Sequence, residues 1–199
     1  MNSKIGVFDA HSDLFANVTL RRMNGETDVI HRHHRAQLQA GNVGAMTCCV
    51  WIDPPYTDAP TNRMIEIMGS ACAELREAAD IAKVAYSAAD IERICAEGKL
   101  AVLLGMEGLS DLGGQVDFLD VLYAWGVRHA MLTWNEVNAF ANGACSPHDD
   151  EGLTPLGVRA VQRMEGLGMI VDVSHANEKT FWDICAHTKK PFIASHSNA

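Results

Sequence analysis

The stretch FDAHSDL, at residues 8–14, places Asp9, His11 and Asp13 at every second position, directly after an apolar run. Alternate side chains of an extended strand point to the same face, so these three polar side chains are expected to converge on one side. An apolar strand that ends in ionisable groups is typical of a barrel whose site is assembled at the strand ends. If other strands end in the same way, this stretch decides both the fold and the position of the site.

Short apolar segments alternate with helix-like segments along the whole chain. Continuously apolar, often β-branched runs of this length suit strands that are covered on both faces, as in a parallel sheet. The predicted strands are IGVFDA (5–10), VGAMTCCVWI (43–52), LAVLLGM (100–106), HAMLTW (129–134), MIVDVS (169–174) and PFIAS (191–195), with IAKVAYS (81–87) as a weaker candidate.

The helices between these strands have recognisable ends. Ser87 followed by Asp90 resembles a capping box, and Thr154 with Pro155 is a favourable N-cap and first-turn pair. An apolar stripe at helical spacing marks a further helix before Ser87. The predicted helices are 62–79, 87–96, 154–165 and 178–187.

Strand and helix alternation in one domain predicts an α/β architecture, either a doubly wound sheet or a (β/α)8 barrel. Polar residues follow five different predicted strands, which favours the barrel. A doubly wound dinucleotide fold would need a glycine-rich loop after the first strand, and HSDLFAN is not one. These residues are His11, Asp13, Glu107, Asn135, His175 and His196.

Six main strands are visible in 199 residues, whereas a complete barrel typically needs about 250 residues. We therefore predict one partial metallohydrolase barrel domain over residues 1–199, with about six of its eight βα units. An unclosed barrel leaves its first and last strands as edges, which favours association into a homo-oligomer.

The mixture of imidazole and carboxylate groups at the strand ends suits zinc or a similar divalent metal. Two metals that share a carboxylate need about five protein ligands. The six cysteines contain no C-x-x-C pair, so they are predicted to be reduced and mostly buried rather than thiolate ligands.

Charge and hydropathy exclude two classes of partner. A formal net charge of -9 offers no cationic footprint for nucleic acid, so a small-molecule partner is expected. The sequence contains no apolar run long enough to cross a membrane and no signal-peptide pattern at its start. We therefore expect a cytoplasmic protein without a membrane partner.

The His-rich segment HRHHR (31–35) is a second place where a metal could bind. No predicted strand end and no carboxylate accompanies it. A solvated helix start is therefore the favoured interpretation.

Several longer segments resemble the membrane dipeptidase family, also called renal-type dipeptidases, and the likeness runs in order over nearly the whole chain. The segments are DAHSDL (9–14), GMEG (105–108), LTWNEVN (132–138), GLTPLGVRAVQRMEGLGMIVDVSHA (152–176) and PFIASHSNA (191–199). The resemblance implies a zinc-dependent enzyme that hydrolyses the amide bond of dipeptides through a hydroxide held between two zinc ions.

The resemblance also implies the ligand set. His11 and Asp13 bind one zinc ion, His175 and His196 bind the second, and Glu107 bridges the two. A carboxylate that holds two cations is a poor proton acceptor, so Glu107 is interpreted as a bridge rather than a general base. A further carboxylate, Asp9, is expected to orient His11 from behind the metal.

Two departures from the family pattern limit this expectation. Trp134 stands where the renal enzyme has a substrate-contacting histidine, so Trp134 is expected to wall the pocket and Asn135 to be a substitute donor to the substrate. The family's substrate-binding arginine and proton-transferring aspartate fall beyond residue 199, which implies a C-terminally truncated, bacterial-type member. Two alternatives stay open: a non-catalytic metal-binding fragment, and an amidohydrolase-like enzyme for another small amide or a lactone.

Overall fold

The computed structural model describes residues 6–197. Its strands are β1 (Val7–Ser12), β2 (Val43–Trp51), β3 (Ala82–Val84), β4 (Leu100–Glu107), β5 (Val127–Met131) and β6 (Ile170–Asp172). Its α-helices are α1 (Leu14–Met23), α2 (Arg35–Ala40), α3 (Pro60–Glu77), α4 (Ala88–Ala96), α5 (Phe118–Trp125), α6 (Pro155–Leu167) and α7 (Glu178–His187). A π-helical turn (Ile30–His34) leads into α2, and 3-10 turns lie at Tyr56–Asp58 and Ser110–Leu112.

The strands form one parallel sheet in the order β1-β2-β4-β5-β6, and β3 pairs with the first half of β4. Helices connect successive strands, as the alternation in the sequence predicts. The central strand β4 is buried along its whole length. A continuously apolar strand that is covered on both faces is what a parallel sheet requires.

One predicted strand is not formed. Residues 191–195 run beside β6, but the described residues there make only an isolated parallel bridge, between Asp172 and Ile193. Two main-chain hydrogen bonds support this bridge, from Val173 N–H to Ile193 O at 2.8 Å and from Ile193 N–H to Val171 O at 3.0 Å. The predicted first strand begins at Ile5, which lies outside the described residues.

The predicted helix starts that rest on capping are confirmed. The Ser87 hydroxyl accepts the Asp90 N–H at 3.1 Å, and the Thr154 hydroxyl accepts the Gly157 N–H at 3.1 Å. At the end of α6, Gly168 adopts a left-handed conformation with φ of 80°. Helices α1 and α5 were not predicted, and neither has a side-chain hydrogen bond at its N-cap that would mark its start.

The two faces of the sheet differ, as adjacent residues of β2 illustrate. Cys48 belongs to the main apolar cluster beneath the helices, whereas Cys49 lies on the opposite face beside His129. The prediction of mostly buried thiols is wrong for Cys72 and Cys145, which are exposed.

Within residues 6–197, no helix combines the length and the apolar character that crossing a membrane requires.

Candidate metal centre

The carboxyl ends of the strands bring the predicted ligands together. His11 lies near the end of β1, and Asp13 is the N-cap of α1 directly after that strand. Glu107 is the last residue of β4. His175 follows β6, and His196 follows the segment that runs beside β6. Because parallel strands end at one edge of the sheet, these five residues from distant parts of the sequence share a small volume.

Glu107 is the centre of this group and is 5% exposed. Its Oε2 lies 3.2 Å from His11 Nε2, and its Oε1 lies 2.9 Å from His175 Nε2. The same Oε1 lies 3.9 Å from His196 Nε2. One buried carboxylate therefore faces the ring nitrogens of three histidines.

Asp13 occupies the rim of the group. Its Oδ1 lies 3.5 Å from His11 Nε2, and its side chain is 46% exposed. Ligating atoms of His11, Glu107 and His196 all lie within 4.8 Å of one another, a spacing that suits a shared metal ion. Asp13 is thus placed to complete the ligand set from the solvent side.

The electrostatics of the group favour a bound cation. Burial would raise the pKa of Glu107, but hydrogen bonds with His11 and His175 lower it to about 2. Burial lowers the pKa of His11, but hydrogen bonds with Asp13, Cys49 and Glu107 outweigh this effect and raise it to about 12. The Glu107 carboxylate therefore stays charged and draws positive charge to the histidine nitrogens beside it.

The donor atoms fit a divalent metal. Glu107 Oε2 is buried and has no well-aligned hydrogen bond, although His11 Nε2 lies 3.2 Å away, and the Nε2 atoms of His175 and His196 face each other at 2.7 Å. The second nitrogen of each ring is already engaged, His175 Nδ1 with Asn135 Oδ1 at 2.9 Å and His196 Nδ1 with Ser195 Oγ at 3.0 Å. A cation among these atoms would bind the lone pairs of the Nε2 nitrogens and of Glu107 Oε2.

Local backbone conformation sets the direction of one ligand. His175 has φ of 64°, in the left-handed region that residues other than glycine rarely adopt. Such a conformation costs about 1–3 kcal/mol and persists where surrounding contacts enforce it. Asn135 supplies one of those contacts through the His175 ring.

The predicted substrate contacts are placed as follows. The Trp134 ring packs edge-on against the Trp51 ring, with 5.4 Å between the ring centroids. The centroid of the Trp134 ring lies 6.3 Å from that of the His175 ring, so the two tryptophans lie beside the candidate metal centre. Asn135 uses its Oδ1 to hold His175, a contact that the sequence did not reveal. Its role as a donor to substrate stays a prediction.

Asp9 contacts the main chain of His11 rather than its ring. The Asp9 Oδ1 accepts the His11 backbone N–H at 3.3 Å, whereas the ring nitrogen Nδ1 faces Cys49 Sγ at 3.6 Å. Asp9 can therefore influence His11 only through the turn of the chain. From the sequence, Cys49 is predicted only to be a reduced, buried cysteine.

Sequence reasoning also missed two polar residues behind the site. His129 and Asp172, each 1% exposed, form a buried pair with Nε2 to Oδ2 at 2.6 Å. Burial lowers the pKa of His129, but hydrogen bonds with Asp172 and Cys49 raise it to about 9. The only sequence signal is an ionisable residue, His129 in β5 and Asp172 in β6.

With this geometry in place, comparison with known proteins is informative. Residues 1–199 match the family model of membrane dipeptidases, peptidase family M19. A Klebsiella pneumoniae protein, named as an uncharacterized protein in the pqqA 5'region, is 42% identical over 123 residues, which are 59% of this chain and 45% of that protein. The dipeptidase tcpJ of Claviceps purpurea is 38% identical over 121 residues, which are 60% of this chain and 28% of that enzyme.

Among solved structures, the chain is similar to a metallo peptidase from Rhodobacter sphaeroides, liganded with a phosphinate mimic of the dipeptide L-Ala-D-Ala. The TM-score is 0.86 at 23% identity, and the match covers 98% of this chain and 65% of that one. The likeness confirms the fold prediction, an incomplete (β/α)8-type barrel. The chain spans less than two thirds of the length of each of these three proteins.

Proposed function

The chain belongs to the membrane dipeptidase family, peptidase family M19, and on that premise we propose that it carries the metal centre of a zinc-dependent dipeptidase. The observation that carries the proposal is the convergence of three histidines on the buried Glu107 carboxylate. Three strand ends and the segment beside β6 contribute to this group, which is how barrel enzymes assemble their sites.

The proposed centre holds two zinc ions. His11 and Asp13 bind one ion, His175 and His196 bind the other, and Glu107 bridges them. The separation of the Glu107 oxygens supports this division, because Oε2 faces His11 while Oε1 faces His175 and His196. When bound, the ions supply a Lewis acid for the scissile carbonyl and an activated water.

The surrounding residues prepare this site. The histidine neighbours of Glu107 keep it ionised, so the bridge carries its charge into the centre. Asn135 accepts the Nδ1–H of His175 and leaves Nε2 free to bind the metal. Trp51 and Trp134 form an apolar wall that limits the access of water to one side.

The proposed substrates are dipeptides. The Rhodobacter sphaeroides neighbour binds a phosphinate mimic of L-Ala-D-Ala, which makes L-Ala-D-Ala the first dipeptide to test on this chain.

The test is zinc-dependent release of free alanine from L-Ala-D-Ala and from L-Ala-L-Ala, with zinc per chain measured on the same sample. We expect about two zinc ions per chain and hydrolysis that chelation abolishes and added zinc restores. Zinc binding without turnover of any dipeptide would instead support a non-catalytic metal-binding chain. Hydrolysis of a lactone or an N-acyl amino acid in place of dipeptides would assign another substrate class.

A further inference from the structure

A row of three residues crosses the inner face of the sheet behind the metal centre. Cys49 of β2 is in register with Gly105 of β4, and Gly105 is in register with His129 of β5. Strands lie about 4.8 Å apart, so side chains separated by a whole strand meet only where the residue between them leaves room. A Cβ at Gly105 would lie 2.6 Å from His129 Nδ1 and 2.8 Å from Cys49 Sγ. The glycine therefore lets the thiol and the ring face each other, with Sγ to Nδ1 at 3.9 Å.

The row continues to β6 through a buried pair. His129 Nε2 lies 2.6 Å from Asp172 Oδ2. Cys49 is fully buried, and His129 and Asp172 are each 1% exposed. Buried polar groups are costly unless they are partnered. These three residues partner one another, and we call them the Cys49–His129–Asp172 network.

One end of the network reaches the first histidine of the metal centre. An imidazole that binds a metal through Nε2 is neutral and carries its proton on Nδ1, which needs an acceptor. In His11, Nε2 points toward Glu107, and Nδ1 lies 3.6 Å from Cys49 Sγ. The thiol sulfur is therefore placed to accept the Nδ1–H and to fix the direction of the ring.

The other end holds the turns that carry the remaining histidines. Asp172 Oδ1 accepts the Ser174 N–H at 2.8 Å and the Ser195 N–H at 3.3 Å. Ser174 and Ser195 directly precede His175 and His196. A single carboxylate thus anchors both turns, including the one in which His175 adopts its left-handed conformation.

We propose that the Cys49–His129–Asp172 network positions the metal ligands, with Cys49 directing His11 and Asp172 fixing the turns of His175 and His196. The inference rests on the proposed function, because it assumes that these histidines bind metal. The three network residues are positioning residues, and none of them is a ligand. The network extends the centre across β2, β5 and β6.

Adjacent cysteines of β2 provide a matched test. Cys48 and Cys49 are both fully buried, but Cys48 packs in the apolar core. We expect Cys49→Ala to weaken zinc and cobalt affinity by about ten- to a hundredfold, the usual effect of removing a partner of a ligating histidine. Cys48→Ala should bind as the wild type does. Affinity is measured by competition with a chromophoric chelator on the full chain.

Two further readouts separate positioning from general destabilisation. Replacing wild-type zinc by Co2+ gives an absorption spectrum that reports ligand geometry, and Cys49→Ala should shift it while Cys48→Ala should not. Cys49→Ser keeps an acceptor for the Nδ1–H and should recover most of the affinity. Thermal unfolding of each apo variant shows whether a loss of affinity follows from a loss of fold.

The carboxylate end is tested with a second matched pair. Asp172 and Asp111 are both 1% exposed, and Asp111 belongs to the 3-10 turn at Ser110–Leu112. Asp172→Ala should reduce metal affinity at least tenfold, whereas Asp111→Ala should leave it unchanged. Failure of the wild type to bind zinc or cobalt would overturn the proposed function. Wild-type binding together with unchanged affinity and spectrum in Cys49→Ala would overturn the network alone.

Discussion

Two histidine-rich regions of this chain use their rings in opposite ways. In the metal centre, His11, His175 and His196 come from distant positions, and their Nε2 atoms turn to one carboxylate, Glu107. In the HRHHR segment (31–35), the histidines are neighbours in sequence, yet their rings bind separate partners. A shared target, rather than a high local density of histidine, distinguishes the site that fits a metal.

The HRHHR segment shows how local histidines are satisfied. Four of its residues lie in the π-helical turn that precedes α2, and successive side chains of a helical turn do not face each other. The partners are Asp28 and Asp80 for His31, Glu26 for His33 and Asn17 for His34. The expectation that no carboxylate accompanies this segment is therefore wrong, while the expectation of a helix start is confirmed.

The largest effect is expected from Glu107→Gln, which removes the charge that the three histidines share. An amide cannot offset two cations in a buried site, so we expect zinc content after dialysis to fall below that of any single histidine variant. Glu165→Gln is a matched control, because Glu165 is also buried and its Oε1 accepts two backbone N–H groups. Equal zinc loss in Glu107→Gln and in each histidine variant would break the idea of a shared target.

Asp111 is a buried carboxylate that contrasts with Glu107, because within residues 6–197 no histidine is bound to it. Both of its oxygens lack a hydrogen-bond partner, and burial raises its pKa to about 7. Between about pH 4 and 7 the unfolded chain loses this proton first, so stability should fall with a slope of at most about 1.4 kcal/mol per pH unit.

Asp111→Asn should remove this fall in stability between about pH 4 and 7. It should raise the free energy of unfolding by a few kcal/mol at pH 8, as measured by urea unfolding at several pH values. At pH 3 the carboxyl is protonated in both the folded and the unfolded state. The ionisation of Asp111 should then cause little difference in the free energy of unfolding between wild type and variant. Wild-type and variant curves that run parallel from pH 4 to 8 would contradict the assignment.

A smaller effect is expected from Asn135→Ala. The variant removes the acceptor of the His175 Nδ1–H, so the ring loses its fixed direction, and we expect about tenfold weaker zinc binding. Asn135→Asp keeps an acceptor oxygen and should bind more tightly than the alanine variant. If calorimetry gives both variants the wild-type affinity, Asn135 does not orient His175.

The smallest effect is expected from replacing His31, His33 and His34 together by glutamine. Each ring is held by its own partner near the surface rather than by a shared one. Interactions of this kind contribute about 0–1 kcal/mol each to the stability of the fold. Zinc content should therefore equal that of the wild type, as measured by elemental analysis. Loss of one zinc ion per chain would move a metal site to this segment.

The fold and the grouping of the candidate ligands could be predicted because their signals are local. FDAHSDL shows an apolar strand that ends in candidate ligands, and the caps at Ser87 and Thr154 mark helix starts that the structure reproduces. Helix α7 is predicted with its observed bounds, and the structure adds a cap that the sequence analysis does not name, since the Asn177 side chain accepts the Thr180 N–H.

The remaining parts depend on contacts between distant residues. Cys49 and His129 meet only because Gly105 lies between them in the sheet, and no pattern within any one strand reveals that register. Asn135 likewise turns to His175, 40 residues away. The segment at 191–195 has the composition of a strand, but its pairing in the described residues is limited to one bridge beside β6.

Diffraction from zinc-loaded crystals, measured on both sides of the zinc absorption edge, tests the central claim most directly. We expect two anomalous peaks on either side of Glu107, one beside His11 and Asp13 and the other beside His175 and His196, with metal–nitrogen distances of about 2.0–2.1 Å. A peak at the HRHHR segment, or no peak within reach of Glu107, would contradict the account.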